Sequence, residues 1–324
     1  MVGSFLELLG IRGNPLERVG RFYFLLIFVA IICEIIKDVG LFYLSHIAYL
    51  ANEIGDIRYL APGYVTLGWT SLITGLISSL FYLLEAYLLY KAGNYINDSK
   101  LSATGGLYLL SVLITLLLLP ANVAFIFAIA RTLARGERIS IELLRSMIGL
   151  SMVALIASVI AIIGLILYLI FIYDIGKKYD MSSANNALGI RIIHLIFALI
   201  MGFIIGGVSY ILYPITASIR AIVDGISTFF IIVFYYYVSQ MFKELGEYYR
   251  SIEENPALID NALEELAGVS GPINIRDFIR EKKIPYEVFI KKLEEKIIKG
   301  EIKGALLRET FYPSSTESST TSAN

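Results

Sequence analysis

One uncharged run restricts the possible folds of this chain more than any other feature. Ser146 to Tyr173 contains no Asp, Glu, Lys or Arg over twenty-eight residues, and Arg145 and Asp174 bound it. As an α-helix the run is about 42 Å long, at ~1.5 Å per residue, which exceeds the roughly 30 Å of hydrocarbon in a bilayer. The run therefore predicts a tilted transmembrane helix, and the rest of the fold has to be built around a membrane.

The composition indicates that this helix is one of several. Hydrophobic residues make up 57% of the chain and charged residues 17%, whereas soluble domains average about 25% charged residues. The net charge of −1 provides no global basic field that would attract nucleic acid or anionic lipid. Cys33 is the single cysteine, so the sequence excludes an intrachain disulfide and a cysteine-based metal site.

Six apolar segments predict an all-α polytopic membrane domain over residues 22–250, after a short amino-terminal segment at 1–21. The predicted spans lie near residues 22–50, 63–90, 101–130, 146–173, 192–213 and 219–242. Glu34, Lys37 and Asp38 interrupt the first span, and neither apolar half reaches ~20 residues. We therefore expect one long helix in which acidic and basic side chains, three or four positions apart, share a face.

Four ionisable residues in or beside the predicted spans form a candidate intramembrane polar site: Glu34, Lys37, Glu85 and Asp224. Charged side chains are costly in a bilayer and frequently mark transport pathways or proton relays. Two other interpretations remain open: the residues sit near the aqueous ends of their helices, or they form satisfied structural pairs inside the bundle. Glu85, six residues before Lys91 at the predicted helix end, is the strongest single candidate for transport.

Every second predicted helix ends in a similar pattern, in which an aromatic residue precedes a Gly, a Tyr and a Ser. The three segments begin at Tyr90, Tyr173 and Phe242. If they are repeats of a two-helix unit, the three ends lie on one face of the membrane. The alternative is that any helix leaving a bilayer favours a terminal Gly and an interfacial Tyr.

The positions of Lys and Arg predict which face that is. The amino-terminal side carries ten of them: Arg12, Arg18, Arg21, Lys91, Lys100, Lys177, Lys178, Arg191, Lys243 and Arg250. The opposite side carries seven: Lys37, Arg58, Arg131, Arg135, Arg138, Arg145 and Arg220. Because cytoplasmic loops are enriched in these residues, the sequence predicts a multi-pass protein of the cell membrane with both termini in the cytoplasm.

The chain changes character after the last predicted span. Residues 256–313 are charged and predict a small soluble α+β domain made of a helix, a short strand, two further helices and a hairpin. In the third helix Phe289, Leu293 and Ile297 recur every four residues and predict one buried stripe. Residues 314–324 form a polar low-complexity tail, a composition that predicts disorder.

This order of elements, together with the segment INIRDFIREKKIPYEVFIKKLEEKIIKGEIKGALLRETFY, resembles the winged-helix family over about sixty residues. The resemblance implies either DNA reading or protein docking by the third helix. Lys291, Lys292, Lys296 and Lys299 on that helix form the candidate docking surface, but they alternate with Glu residues. Because DNA binding is driven by net basic charge, the sequence favours a protein partner over nucleic acid.

The membrane half, with the helix end YDIGKKY at 173–179, resembles archaeal multi-span membrane proteins of unknown function, and that resemblance implies no activity. His46 and His194 are the only histidines, and the sequence contains no P-loop or zinc-protease motif, so we expect no metal, no cofactor and no enzymatic activity. The expected partners are the lipid bilayer and a protein. A membrane-anchored scaffold or sensor with a cytoplasmic winged-helix-like docking unit ranks first, and a transporter of small solutes or ions is the alternative.

We predict that tags fused separately at Met1 and Asn324 are both hidden from a membrane-impermeant reagent in intact cells. The Lys and Arg bias, with an even number of spans, places both ends in the cytoplasm. Labelling after permeabilisation controls for the accessibility of each tag. Labelling of either tag before the cells are opened contradicts the topology.

Overall fold

The computed structural model describes residues 11–137, 140–208 and 213–313. Within these ranges the membrane half consists of six long helices and a one-turn 3-10 helix, η1 (Ile57–Leu60). The six are α1 (Pro15–Ile54), α2 (Ala61–Ile96), α3 (Ser99–Ala134), α4 (Ile141–Tyr179), α5 (Ser182–Val208) and α6 (Tyr213–Glu254). All six are long and apolar enough to cross a membrane, which confirms the prediction of a multi-pass membrane protein.

The helices extend beyond the apolar segments that predicted them. α1 begins at Pro15 and not at Phe22, so the last third of the predicted amino-terminal segment is helical, while residues 1–10 lie outside the described part of the chain. α2 continues to Ile96 and α6 to Glu254. Hydropathy locates only the part of a helix that lies in hydrocarbon, whereas backbone hydrogen bonding continues through charged turns in water.

The described part of α6 also begins earlier than the predicted span. α5 ends at Val208, α6 begins at Tyr213, and residues 209–212 lie outside the described residues. Pro214 lies in the described part of α6, five residues before the predicted span at 219. Asp224 lies inside α6, eleven positions after its first residue.

Caps with short side chains start and end the helices. The Asn14 side chain accepts a hydrogen bond from the Glu17 N–H at 3.0 Å and begins α1. Asn97, with φ of 56°, ends α2, and the Asp98 carboxylate accepts a hydrogen bond from the Leu101 N–H at 2.9 Å to begin α3. So tight a turn makes α2 and α3 antiparallel neighbours.

The antiparallel helices place their ends on two faces of the bundle. The proximal face carries the start of α1, the α2–α3 and α4–α5 turns and the end of α6, and the distal face carries η1 and the α3–α4 connection. Across the proximal face the Asn14 side chain donates to the Gly246 carbonyl at 2.9 Å, and the rings of Tyr95 and Tyr249 lie 5.5 Å apart. The three helix ends that share the aromatic, Gly, Tyr and Ser pattern therefore meet on one face, while their origin as repeats stays a prediction.

Small residues allow close approach between helices. A Cβ on Gly20 of α1 would lie 2.8 Å from the Ser239 carbonyl oxygen of α6, and a Cβ on Gly105 of α3 would lie 2.5 Å from the Tyr90 backbone nitrogen of α2. Membrane helices depend on such contacts because lipid tails are as apolar as leucine and provide no hydrophobic force for association. A side chain at either glycine would push its two helices apart.

The core of the bundle is aromatic and lies in its proximal half. Tyr23, Tyr168, Phe171 and Phe242 are at most 1% exposed. The ring of Phe242 stacks on that of Tyr23 at 6.2 Å and on that of Phe171 at 6.0 Å. Since these rings come from α1, α4 and α6, they connect three helices that are not consecutive in the chain.

A small α+β unit, which we call the carboxy-terminal unit, follows α6. Its elements are α7 (Ala257–Ala267), β1 (Ile273–Asn274), α8 (Ile275–Lys282), α9 (Tyr286–Ile298), β2 (Gly304–Leu307) and β3 (Thr310–Pro313). The strands form an antiparallel sheet in the order β1-β3-β2, with Phe311 opposite Ile273 and Leu306. This is the order of elements predicted from the sequence, and the predicted tail at 314–324 lies outside the described residues.

The carboxy-terminal unit has a hydrophobic core of its own. Ile279, Phe289, Leu293 and Phe311 are at most 1% exposed, and Ile297 of the predicted stripe packs partly buried against them. Phe278 and Leu306 also pack partly buried against this core. The stripe on α9 therefore faces the sheet, as its four-residue spacing predicts.

We predict that residues 256–313 fold on their own and that Leu293→Ala unfolds them. Truncating a fully buried Leu costs about 2–5 kcal/mol, and a domain of about sixty residues has little stability to lose. Circular dichroism melts of the isolated fragment test both statements. Leu307→Ala, at a side chain that is 62% exposed, is the matched control and should melt like the parent. A random-coil spectrum of the parent fragment contradicts the prediction.

Candidate functional site

A cavity of about 360 Å³ lies inside the membrane half, and we call it the Glu85 cavity. α2, α3, α4 and α6 form its walls, and α5 contributes Arg191. Hydroxyl groups line it from four helices: Tyr82, Tyr108, Ser111, Thr115, Tyr168 and Tyr235. A cavity that combines apolar walls with a few polar groups suits a small solute.

Glu85 is the acidic group of this cavity and is only 5% exposed. The Tyr23 hydroxyl donates a hydrogen bond to its Oε1 at 2.6 Å. Among the described residues this is the hydrogen bond that the carboxylate accepts, its Oε2 has no bonded donor there, and the side chain borders the cavity. One oxygen of the carboxylate is therefore positioned by the protein while the other is available to a ligand.

Arg191 is the basic group of the same cavity. One of its terminal nitrogens donates to Nδ1 of His194 at 2.9 Å, and its guanidinium lies 5.2 Å from the centre of the Phe234 ring. Because arginine can only donate, His194 accepts at Nδ1 and carries its proton on Nε2. The Nε of Arg191 is buried and has no hydrogen-bond partner among the described residues.

The two charges lie at a similar depth in the bundle. Glu85 is eleven positions before the end of α2 at Ile96, and Arg191 is nine positions after the start of α5 at Ser182. At ~1.5 Å per residue these separations are about 16 Å and 14 Å from the proximal ends of the helices. The sequence places Arg191 in a loop because the predicted fifth span starts at residue 192, whereas α5 starts at Ser182. Its spacing of three residues from His194 is the signal that could have revealed it.

A second cavity, of about 510 Å³, lies between α1, α2 and α6, and we call it the Lys37 cavity. Lys37 forms an ion pair with Asp224 of α6 at 2.6 Å and a longer one with Glu34 at 3.4 Å. Both Glu34 and Lys37 line the cavity, together with hydroxyl groups of α2 such as Thr70 and Thr74. Three of the four predicted polar residues are thus brought together, and they form a paired group that connects α1 with α6.

Glu85 does not belong to that group. It lies in the other cavity, where its partner is Tyr23. The two cavities nevertheless share a wall, since Tyr82, Ile231 and Tyr235 line both.

The four lysines predicted to form a docking surface lie on α9, and most of their charge is used within the carboxy-terminal unit. Lys292 donates to Asp260 at 2.8 Å, and this hydrogen bond lowers the pKa of the Asp260 carboxyl. Lys296 lies within 3.8 Å of Asp260 and 3.5 Å of Glu301. Lys299 pairs with Glu295 at 2.5 Å, and Lys291 is exposed. The surface is close to neutral.

A set of contacts that we call the proximal clamp joins the bundle to the carboxy-terminal unit. Lys178 of α4 pairs with Glu287 of α9 at 2.6 Å, and the Tyr179 hydroxyl donates to the other oxygen of Glu287 at 2.9 Å. The Tyr286 N–H donates back to the Tyr179 hydroxyl at 3.0 Å. Sequence patterns could not reveal the clamp, because its partners are more than one hundred residues apart.

The chain matches no family model, no curated protein and no solved structure. Within the described ranges, no group of three or more His, Cys, Asp or Glu residues could hold a metal ion.

Proposed function

We propose that this protein is a membrane-anchored sensor: its helical bundle binds a small solute, and its carboxy-terminal unit is a winged-helix-like module that docks a protein partner at the cytoplasmic face. The observation that supports this best is the proximal clamp. It fixes the first turn of α9 to the end of α4 through Tyr179, which bonds both Tyr286 and Glu287. Because of this contact, a movement of the end of α4 would also move the carboxy-terminal unit.

The same helices reach both the Glu85 cavity and the carboxy-terminal unit. In α4, Tyr168 lines the cavity and Tyr179, eleven positions later, forms the clamp. In α6, Tyr235 lines the cavity and Tyr248 packs its ring 5.0 Å from that of Tyr179. Along α4, Tyr168 and Tyr179 are separated by about 16 Å of continuous helix. A solute that displaces either cavity wall can therefore shift the clamp, provided that it binds two arrangements of the helices with unequal affinity.

The charge of α9 favours a protein over nucleic acid as the docked partner. Lys292, Lys296 and Lys299 all have acidic partners inside the unit. Phosphate binding depends on uncompensated basic charge, which Lys291 alone would have to supply on this surface. Protein interfaces accept such a balanced surface, where charge sets orientation more than affinity.

Partner docking is tested by cross-linking in native membranes. Cross-links to a protein partner should form through residues 256–313 of the full chain and disappear from a chain that ends at Ser251. The isolated unit should bind duplex DNA more weakly than micromolar in physiological salt. Unchanged cross-links after the truncation, or DNA binding at micromolar strength or tighter, contradict the proposal.

The clamp itself is tested by hydrogen exchange of the full chain carrying Glu287→Gln. Loss of this partly exposed charge should weaken the contact by about 0.5–1 kcal/mol, which raises hydrogen exchange at the Tyr286 amide roughly two- to fivefold. Glu294→Gln, at an exposed position on the same helix, is the matched control and should leave that amide unchanged. Equal exchange in the two variants would show that the clamp does not position α9.

The shared wall of the two cavities favours a second candidate function, the transport of a small solute or ion. If Glu85 takes part in coupling, Glu85→Gln should abolish uptake into proteoliposomes while the protein stays folded, because Gln can still accept the Tyr23 hydrogen bond. Glu34→Gln, in the other cavity, separates the effect of Glu85 from that of any buried carboxylate. Wild-type proteoliposomes that move no solute in a broad flux screen rule transport out.

A further inference from the structure

The two charges of the Glu85 cavity are of opposite sign and attract each other, but they are not in direct contact. Glu85 and Arg191 both line it, and no ion pair between them occurs among the described residues. We propose that the cavity binds a small zwitterion of the α-amino acid class, with the ammonium group at Glu85 and the carboxylate at Arg191. The inference rests on the proposed function, in that it identifies the solute of the same cavity.

The surroundings of Glu85 suit an ammonium group. Tyr23 donates to Oε1, which fixes the carboxylate, and Oε2 remains for a further donor. An ammonium has three N–H donors, and the hydroxyl oxygens of Tyr82 and Tyr108 line the cavity as additional acceptors. One hydrogen bond to the carboxylate and two to neutral hydroxyl oxygens can therefore hold it.

The surroundings of Arg191 suit a carboxylate. Its guanidinium has five N–H donors; the bond to His194 uses one, and the buried Nε has no partner in the described part of the chain. The Phe234 ring fixes the plane of the guanidinium. A planar group held in this way is suited to bind a carboxylate through two parallel hydrogen bonds.

Electrostatics favours a ligand that carries both charges. A cation alone would neutralise Glu85 and leave Arg191 unpaired in the membrane interior, and an anion alone would do the reverse. A zwitterion pairs both without adding net charge. The Lys37 cavity lacks this property, because Lys37 already pairs with Asp224 and Glu34.

The size and the apolar wall narrow the ligand further. At about 360 Å³ the cavity is near the lower end of the ~300–1,000 Å³ that ligand sites occupy. Val112, Ile162 and Leu165 form an apolar part of its lining. An amino acid with a small aliphatic side chain matches the volume, the two charges and the apolar wall together.

The test uses the purified full chain in nanodiscs with leucine and its two half-molecules, 4-methylpentanoate and 3-methylbutylamine. Binding is measured as the ligand-dependent rise in melting temperature, from which Kd follows. Leucine should bind at least tenfold more tightly than either half-molecule, because only leucine pairs both charges. This comparison is made on the unaltered protein, so it does not depend on any variant folding.

Variants then assign the two ends. Glu85→Gln should weaken leucine at least tenfold and leave 4-methylpentanoate binding at least as tightly as leucine. Arg191→Gln should also weaken leucine at least tenfold, and it should leave 3-methylbutylamine binding at least as tightly as leucine. Glu34→Gln is the control and should leave the Kd for leucine unchanged. These reversals of preference would not arise from a purely structural role of either residue.

Two results overturn the inference. One is the absence of stabilisation by leucine at millimolar concentration, and the other is equal binding of leucine and its half-molecules. If either occurs while Glu287→Gln still raises exchange at Tyr286 and the partner cross-links still require residues 256–313, the zwitterion is wrong and the docking function stands. If those two readouts fail as well, the sensor function fails with it.

Discussion

The lack of water in the hydrocarbon is the constraint on which the rest of the structure depends. Every backbone N–H and C=O there has to bond within the protein, so the membrane half can only be built from continuous helices. The same lack of water makes an unpaired ion expensive, which explains why Lys37 in the middle of α1 contacts both Glu34 and Asp224. That ion pair joins α1 to α6, and the close approach at Gly20 of the same two helices adds a contact between backbones.

The aromatic core converts these pairwise contacts into one proximal assembly. Tyr23, Tyr168 and Phe242 bring α1, α4 and α6 together. Tyr23 also holds Glu85, so the core and the cavity share a residue. At the ends of the same helices Tyr179 contacts both Tyr248 and the carboxy-terminal unit. A change at the cavity therefore has a short, packed route to the clamp, and whether it is used depends on two arrangements of α4 that a ligand distinguishes.

Much of the fold follows from the sequence because hydropathy and helical period are local properties. The uncharged runs located the six helices, and the spacing of Phe289 and Leu293 located the buried side of α9. The site followed less well. Position along a helix gives depth but not the direction in which a side chain faces, so Glu34 and Glu85 were grouped although they line different cavities. Arg191 was missed because the predicted fifth helix starts one residue after it, so the arginine was expected in the preceding loop.

The two cavities both contain charged groups but differ in how those charges are paired. In the Lys37 cavity the lysine has carboxylates from two helices as partners, so a ligand would have to compete with them. In the Glu85 cavity the carboxylate has one neutral donor, and the guanidinium has a histidine and a ring. Neutral partners orient these charges without neutralising them. If the proposed zwitterion binds, it pairs both charges at once, and the free energy of that pairing can bias the arrangement of the helices around the cavity.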